Sequence, residues 1–164
     1  MSAASPVSGS ERPERTLLAP GLQIARVVTG LWQVADMERG GTLLDPVRGA
    51  AAMAQYAAAG FDTFDMADHY GSAEMITGTL RASGAAPGLR AFTKWCPPPG
   101  PMTAAVVRDG VQRSLDRMQT PCIDLLQFHW WTFEHPGYLD AMRELARLRE
   151  EGLIAHLGLA NFDT

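Results

Sequence analysis

The chain has 164 residues, 46% of them hydrophobic and 20% charged, which is the composition of one ordinary globular domain with enough apolar residues to bury a core. A formal charge of -4 at pH 7 leaves no basic face for a phosphate backbone, and no apolar run approaches the length of a bilayer span, so neither nucleic acid nor membrane is expected as a partner. Cys96 and Cys122 lie far apart, without CxxC or metal-ligand spacing; this suits reduced thiols in a cytoplasmic protein and predicts no metal site.

Residues 1–16, MSAASPVSGSERPERT, are rich in Ser, Pro and charge and are expected to form a disordered tail ahead of a single domain over 17–164. They lack the apolar segment of a secretory signal, and Glu11 and Glu14 disfavour a transit peptide. Residues 17–24 carry two short apolar arms around Pro20-Gly21, the pattern of a small β-hairpin. A strand is predicted over 25–33, followed by a Gly-rich loop at 39–41. Asp45 and Pro46 supply an N-cap and a first-turn proline for a helix that Gly60 ends.

Residues 61–66 read as a short buried strand, and Ser72 as the cap of a second helix that places Ile76 and Leu80 on one face and closes at Gly84. The cycle then repeats. A strand over 89–95 leads through the loop CPPPGPM to Thr103, which caps a helix with Val107, Val111, Leu115 and Met118 at helical spacing, ended by Pro121. A strand over 122–129 is followed by a helix over 138–151, with Leu139, Met142, Leu145, Ala146 and Leu148 on its inner stripe, and then by a last strand over 153–160.

Strands alternating with helices in this way predict right-handed βαβ crossovers and a parallel sheet, an α/β fold. An open nucleotide-binding sheet should show GxGxxG or a Walker loop after its first strand; residues 30–35, GLWQVA, are neither. The expectation is therefore the (β/α)8 barrel of TIM type. Functional groups in such folds collect where the strands end, because loops and helix N-termini build that face. Those ends carry Trp32, Asp65 with Tyr70 beyond it, Lys94-Trp95, His129-Trp130-Trp131 and Asn161.

Taken singly, each has an ordinary structural explanation: a strand-end Asp often caps a helix, a lone His often packs, and a Tyr or Trp often anchors a loop. Lys94 is harder to explain so. It is the only lysine, every other basic residue being arginine, and it interrupts an apolar strand where a charge is costly unless paired. Trp32, Trp95, Trp130 and Trp131 could form an aromatic wall for a flat apolar ligand. A Tyr hydroxyl titrates near pH 10 in water, about neutral-pH inert, unless a nearby cation stabilises its phenolate. A lysine kept charged by a carboxylate would supply that cation, making a tuned general acid able to protonate a carbonyl oxygen.

Residues 60–74, GFDTFDMADHYGSAE, together with Phe92-Thr-Lys94, the strand 124–130, DLLQFHW, and the segment 151–162, EGLIAHLGLANF, resemble the aldo-keto reductases. In the order and spacing of that family's motifs they select Asp65 and Tyr70 over the neighbouring Asp62 and Asp68. The resemblance implies NAD(P)H-dependent reduction of aldehydes and ketones to alcohols, with Tyr70 as general acid, Asp65 and Lys94 tuning it, and His129 orienting the carbonyl. It further implies that Gly30, Leu31, Trp32, Asp65 and Asn161 address the cofactor, NADP(H) with NAD(H) left open, and that Trp32, Trp95 and Trp130 line the pocket for a small-molecule carbonyl substrate.

Two positions depart from the family pattern: Met66 stands for the usual Thr beside the Asp, and Ala160 for the Ser beside Asn161. The third departure is length, since a closed barrel takes about 250 residues and only five strands of it are expected here. The expectation is an incomplete barrel, a truncated form with weak or no activity alone, whose open edges favour self-association. A non-catalytic binding or regulatory subunit on the same fold is the alternative.

Overall fold

A computed structural model describes residues 12–35 and 44–163. The Gly-rich loop expected at 39–41 lies outside the described residues. The chain opens with an antiparallel hairpin, β1 (Arg15–Ala19) and β2 (Leu22–Ala25), turning where Gly21 adopts φ 79°. Arg15 and Thr16, read from sequence as the end of the tail, pair with Ala25 and Ile24. After the hairpin come β3 (Thr29–Gly30), α1 (Pro46–Ala58), β4 (Thr63–Asp65), α2 (Ala73–Ala82), β5 (Arg90–Trp95), α3 (Ala104–Met118), β6 (Ile123–His129), α4 (Gly137–Glu150) and β7 (Ile154–Ala160).

The five later strands form one parallel sheet in the order β3-β4-β5-β6-β7, so each strand lies beside its predecessor. That order, with a helix after each strand from β4 to β6, is the winding of a partial (β/α)8 barrel. The strand expected over 25–33 is much shorter than its apolar run suggested. The chain bends at Arg26 and Val27, and β3 ladders with β4 alone, through Thr29–Phe64 and Gly30–Asp65.

Two of the three expected N-caps act through their side chains, while Ser72 holds the cap position of α2 without a side-chain cap hydrogen bond. The Asp45 carboxylate accepts from the Val47 backbone N–H at 3.0 Å, and Thr103 accepts from that of Val106 at 3.3 Å. Val107, Val111, Leu115 and Met118 are all buried, each contributing about 1.5–3 kcal/mol through removal from water. Helix α3 ends at Gln119, whose left-handed conformation (φ 49°) stops it before Pro121. On α4 the inner stripe is rotated from the expected one: Ala141, Glu144, Leu145 and Leu148 are buried, while Leu139 is exposed.

Side-chain alternation gives the sheet two different faces. Phe64, Leu126 and Phe128 join the large core between the sheet and the helices. The opposite face carries Phe92 and Leu125, which the hairpin covers with Leu22 and Ile24 in a second, smaller cluster. Two residues further along their strands, on that same inner face, stand Lys94 and Gln127. The hairpin thus plugs the inner face just before its polar residues begin.

Candidate active site

Gly60, at φ 97°, ends α1 and turns the chain into β4, where Asp65 is the last strand residue. Across β5, Lys94 Nζ donates to Asp65 Oδ2 at 2.6 Å and to the Met66 carbonyl at 3.0 Å. The lysine side chain is only 15% exposed, so the carboxylate supplies the countercharge that a near-buried ammonium requires. Asp65 Oδ1 accepts a further bond, from Gln127 Nε2 on β6 at 3.2 Å. The Lys94 ammonium lies 5.3 Å from the centre of the Tyr70 ring.

Tyr70 follows β4 and is held between two rings edge-on to it, Trp32 at 4.7 Å and His69 at 4.9 Å. Burial, and next the negative charge of Asp65, push its hydroxyl above the usual value of 10.0. The shift runs opposite to the lysine-lowered phenolate expected from sequence, because burial is the largest influence and the Asp65 carboxylate adds to it.

His129 ends β6 and is buried, with Nδ1 lacking a hydrogen-bond partner among the described residues. Burial lowers its pKa from 6.5, opposed by a hydrogen bond with the Asn161 side chain and reinforced by the nearby charges of His69 and Lys94. Asn161 follows β7 in a left-handed conformation, φ 66°, one of the few non-glycine residues that tolerate it. Asp65, Lys94 and Tyr70 are thus in one contact group, with His129 and Asn161 joined to each other on the same rim.

The aspartates beside Asp65 have other work. Asp62 pairs with Arg15 at 2.9 Å, and Asp68 accepts from the Cys96 backbone N–H at 3.4 Å and contacts His69 Nδ1 at 3.0 Å. Glu74 is buried and ties α2 to β5 and α3, accepting from Thr93 at 2.7 Å and Arg117 at 3.3 Å. Burial raises its pKa, the Thr93 bond being the largest opposing effect.

Three expected site residues are corrected. Trp95 and Trp130 are buried on the helix side, Trp95 stacked on Phe128 at 5.6 Å and Trp130 tilted against it at 5.7 Å. Each directly follows a rim residue, Lys94 or His129, so alternation turns it away from the inner face. Leu31 is fully buried; its N–H donates to the Asp65 carbonyl at 2.9 Å and its carbonyl accepts from Ala35, leaving nothing to offer a cofactor. Gly30 does remain on the inner face, lining an open recess of about 420 Å³ with Asp65, Phe92 and Gln127.

One residue emerges that the sequence reading did not assign, Gln127, and one tryptophan of the expected wall, Trp131, is exposed. Gln127 contacts Asp65, and its placement two residues before His129 on one strand was the available signal. Trp131, 66% exposed, tilts over His129 at 4.5 Å and donates its indole N–H to Cys96 Sγ at 3.1 Å. Among the described residues no group of three or more His, Cys, Asp or Glu is placed to hold a metal ion, and no helix is long and apolar enough to cross a membrane.

Comparison with known proteins accords with this geometry. The chain is 32% identical over 151 residues to an aldo-keto reductase of Mycobacterium sp. (strain JLS), covering 89% of this chain and 49% of that protein. A methylglyoxal reductase of Yersinia pestis is 36% identical over 55 residues, 34% of this chain and 20% of the relative. The chain therefore spans about half the length, or less, of these curated relatives. Among solved structures, a Bombyx mori aldo-keto reductase in complex with NADP matches with TM-score 0.71 at 21% identity, over 93% of this chain and 52% of that one. An aldo/keto reductase of Brucella melitensis matches with TM-score 0.70 at 22% identity, over 93% and 55%. Both structures show the shared fold. The sequence profile of the Aldo/keto reductase family matches residues 26–164, and the chain belongs to that family.

Proposed function

We propose that the rim of this chain is a carbonyl-reduction site in which Tyr70 is the general acid, Asp65 and Lys94 set its electrostatics, and His129 orients the substrate oxygen. The observation that carries this reading is the single lysine, bound to Asp65 at 2.6 Å and standing 5.3 Å from the Tyr70 ring. A raised tyrosine pKa keeps the hydroxyl protonated at neutral pH, as a proton donor requires. Donation becomes downhill as the carbonyl oxygen takes on alkoxide character, an alkoxide being the far stronger base. The neighbouring ammonium then stabilises the phenolate left behind.

A reduced nicotinamide cofactor, NADPH or NADH, would when bound supply the hydride for the carbonyl carbon. The donor set fits its nicotinamide end: an amide at Asn161, a ring edge at Trp32, and open backbone at Gly30, which bears no side chain on the inner face. Asn161 is engaged with His129, so it would hold a carboxamide group while keeping the imidazole in place. His129, with burial lowering its pKa, is neutral at pH 7 and offers a ring N–H to the carbonyl oxygen without competing as an acid. Of the four tryptophans expected to make an apolar wall, Trp32 and Trp131 are the exposed ones and supply it.

These residues grip only the nicotinamide end, so we expect the 164-residue chain to bind cofactor weakly and turn over slowly. The outer side of β7 carries an apolar groove of about 180 Å³ between Leu157, Leu159, Met142 and Leu145, and we expect self-association through it. Separated free thiols at Cys96 and Cys122 support a cytoplasmic protein. The reading is tested by following NADPH oxidation with a set of aldehydes, methylglyoxal included, in the purified chain and in Tyr70→Phe. Tyrosine-dependent oxidation is the expected result. A protein that binds the cofactor and passes no hydride would be a binding subunit.

A further inference from the structure

Asp65 has two carboxylate oxygens and each has its own partner: Oδ2 takes Lys94, and Oδ1 takes the Gln127 amide. Gln127 lies directly across the ladder from Lys94 on one side and from Gly158 of β7 on the other. Gly158 gives the glutamine its room. A Cβ placed there would stand 3.2 Å from Gln127 Cγ, close enough that the glutamine must give by a few tenths of an ångström, and in ordinary contact with Leu125 Cδ1 at 3.6 Å. A chain of fit thus runs across four neighbouring strands, from a missing side chain on β7, through an amide on β6, to the ion pair joining β5 and β4.

We propose that Gln127 is a positioning residue: its amide N–H fixes the rotation of the Asp65 carboxylate so that the other oxygen stays on Lys94, with Gly158 leaving the space that the glutamine needs. A neutral donor suits this task. A second cation would compete with Lys94 for the carboxylate, and an apolar residue would leave Oδ1 without a donor in a half-buried place. The ionisable groups facing the pair are Tyr70 and His129, with Asp68, His69 and Cys96 beyond them on the rim. Gln127 carries no charge into that set and orders it by geometry alone. The proposal rests on the reading of Lys94 and Asp65 as the site's electrostatic pair, and its test needs no turnover.

The solitary lysine makes the pair directly observable. Chain grown with 13C-lysine gives one lysine Cε cross-peak, whose position reports the surroundings of Lys94, and trinitrobenzenesulfonate followed by peptide mass mapping reports its reactivity apart from that of the N-terminal amine. Three variants are compared with the parent chain: Gln127→Met, which removes the donor at similar volume; Gly158→Ala, which pushes the glutamine from the other side; and Asp65→Asn, which removes the countercharge. All three should move the cross-peak and speed modification of Lys94, Asp65→Asn most, and Gln127→Met and Gly158→Ala by about threefold or more. Near-ultraviolet circular dichroism identifies any variant that has lost its fold, leaving the other to decide. If Asp65→Asn moves Lys94 while neither Gln127→Met nor Gly158→Ala does, the positioning role is refuted. If Asp65→Asn itself moves nothing, the ion pair and the site reading built on it fail first.

Discussion

Three helix glycines face three different neighbours, and alanine at each measures how firmly the helices are seated, including whether Trp95 belongs to the core. In α3, a Cβ at Gly110 would stand 2.4 Å from Trp95 Nε1 and 2.6 Å from Cε2. The indole is rigid and buried against Phe128, so it cannot yield by a terminal rotation. Glycine to alanine in a helix interior gains about 1 kcal/mol of propensity, while overpacking a core costs about 1–3 kcal/mol. With contacts this short, the upper part of that range applies and the net for Gly110→Ala is about 1–2 kcal/mol of destabilisation. At Gly78 the obstacle is the Arg117 backbone carbonyl, 2.1 Å away, which is harder to move. At Gly49 it is the buried Ile76 side chain, Cδ1 at 2.7 Å and Cγ1 at 2.8 Å, which is stiff near its branch but has no backbone atom in the way. Urea unfolding should therefore rank Gly78→Ala as most destabilised, Gly110→Ala as intermediate and Gly49→Ala as least, though still below the parent. A Gly110→Ala chain as stable as the parent would mean that Trp95 does not pack on α3, and would return it to the candidate substrate wall.

Trp131→Ala should weaken use or binding of aromatic aldehydes about five- to tenfold, the worth of one ring contact, and leave small aliphatic aldehydes nearly unchanged; comparison of kcat/KM or of ligand-observed NMR binding decides it. NADPH and NADH should bind the 164-residue chain with dissociation constants within about threefold of one another, because no assigned residue reaches the adenosine phosphate; tryptophan quenching measures both. The pH dependence of stability should carry the mark of His129. Its folded pKa lies below 6.5, so the unfolded chain takes up the proton first. The stability this group contributes is full above that value and is lost as pH falls through it. Urea midpoints at pH 7.5 and 5.5 should thus fall further for the parent than for His129→Asn. Glu74, raised by burial, has the opposite slope above its ordinary value of 4.5 and cancels in that comparison.

Much of the fold could be read from local chemistry. Asp45-Pro46, Thr103 and the alternating glycines marked helix ends correctly because those residues act on backbone within one turn. The choice of Asp65 over Asp62 and Asp68 was also accessible, since alternation along β4 sends only one of them to the inner face at its end. Lys94 stood out by being the only lysine in an arginine-rich chain.

Other features depended on contacts that no local pattern reports. Trp95 and Trp130 looked like site residues because they lie next to Lys94 and His129 in sequence, yet a strand sends neighbours to opposite faces. Leu31 likewise lies between Gly30 and Trp32 but turns into the core. Gln127 was visible on the His129 face and went unassigned because an amide has no reactivity to attract notice. The direction of the Tyr70 shift depended first on its burial and next on the Asp65 charge, which only the tertiary packing sets.

The central claim is that Tyr70 donates a proton to a carbonyl beside a lysine held by Asp65. It is tested most directly by NADPH oxidation at 340 nm with an activated aromatic aldehyde, comparing the purified chain, Tyr70→Phe and Lys94→Met. Removal of a positioned general acid should lower whatever rate the parent shows by about 100-fold or more, with cofactor affinity unchanged in Tyr70→Phe. Equal oxidation rates in the parent and Tyr70→Phe would contradict the assignment.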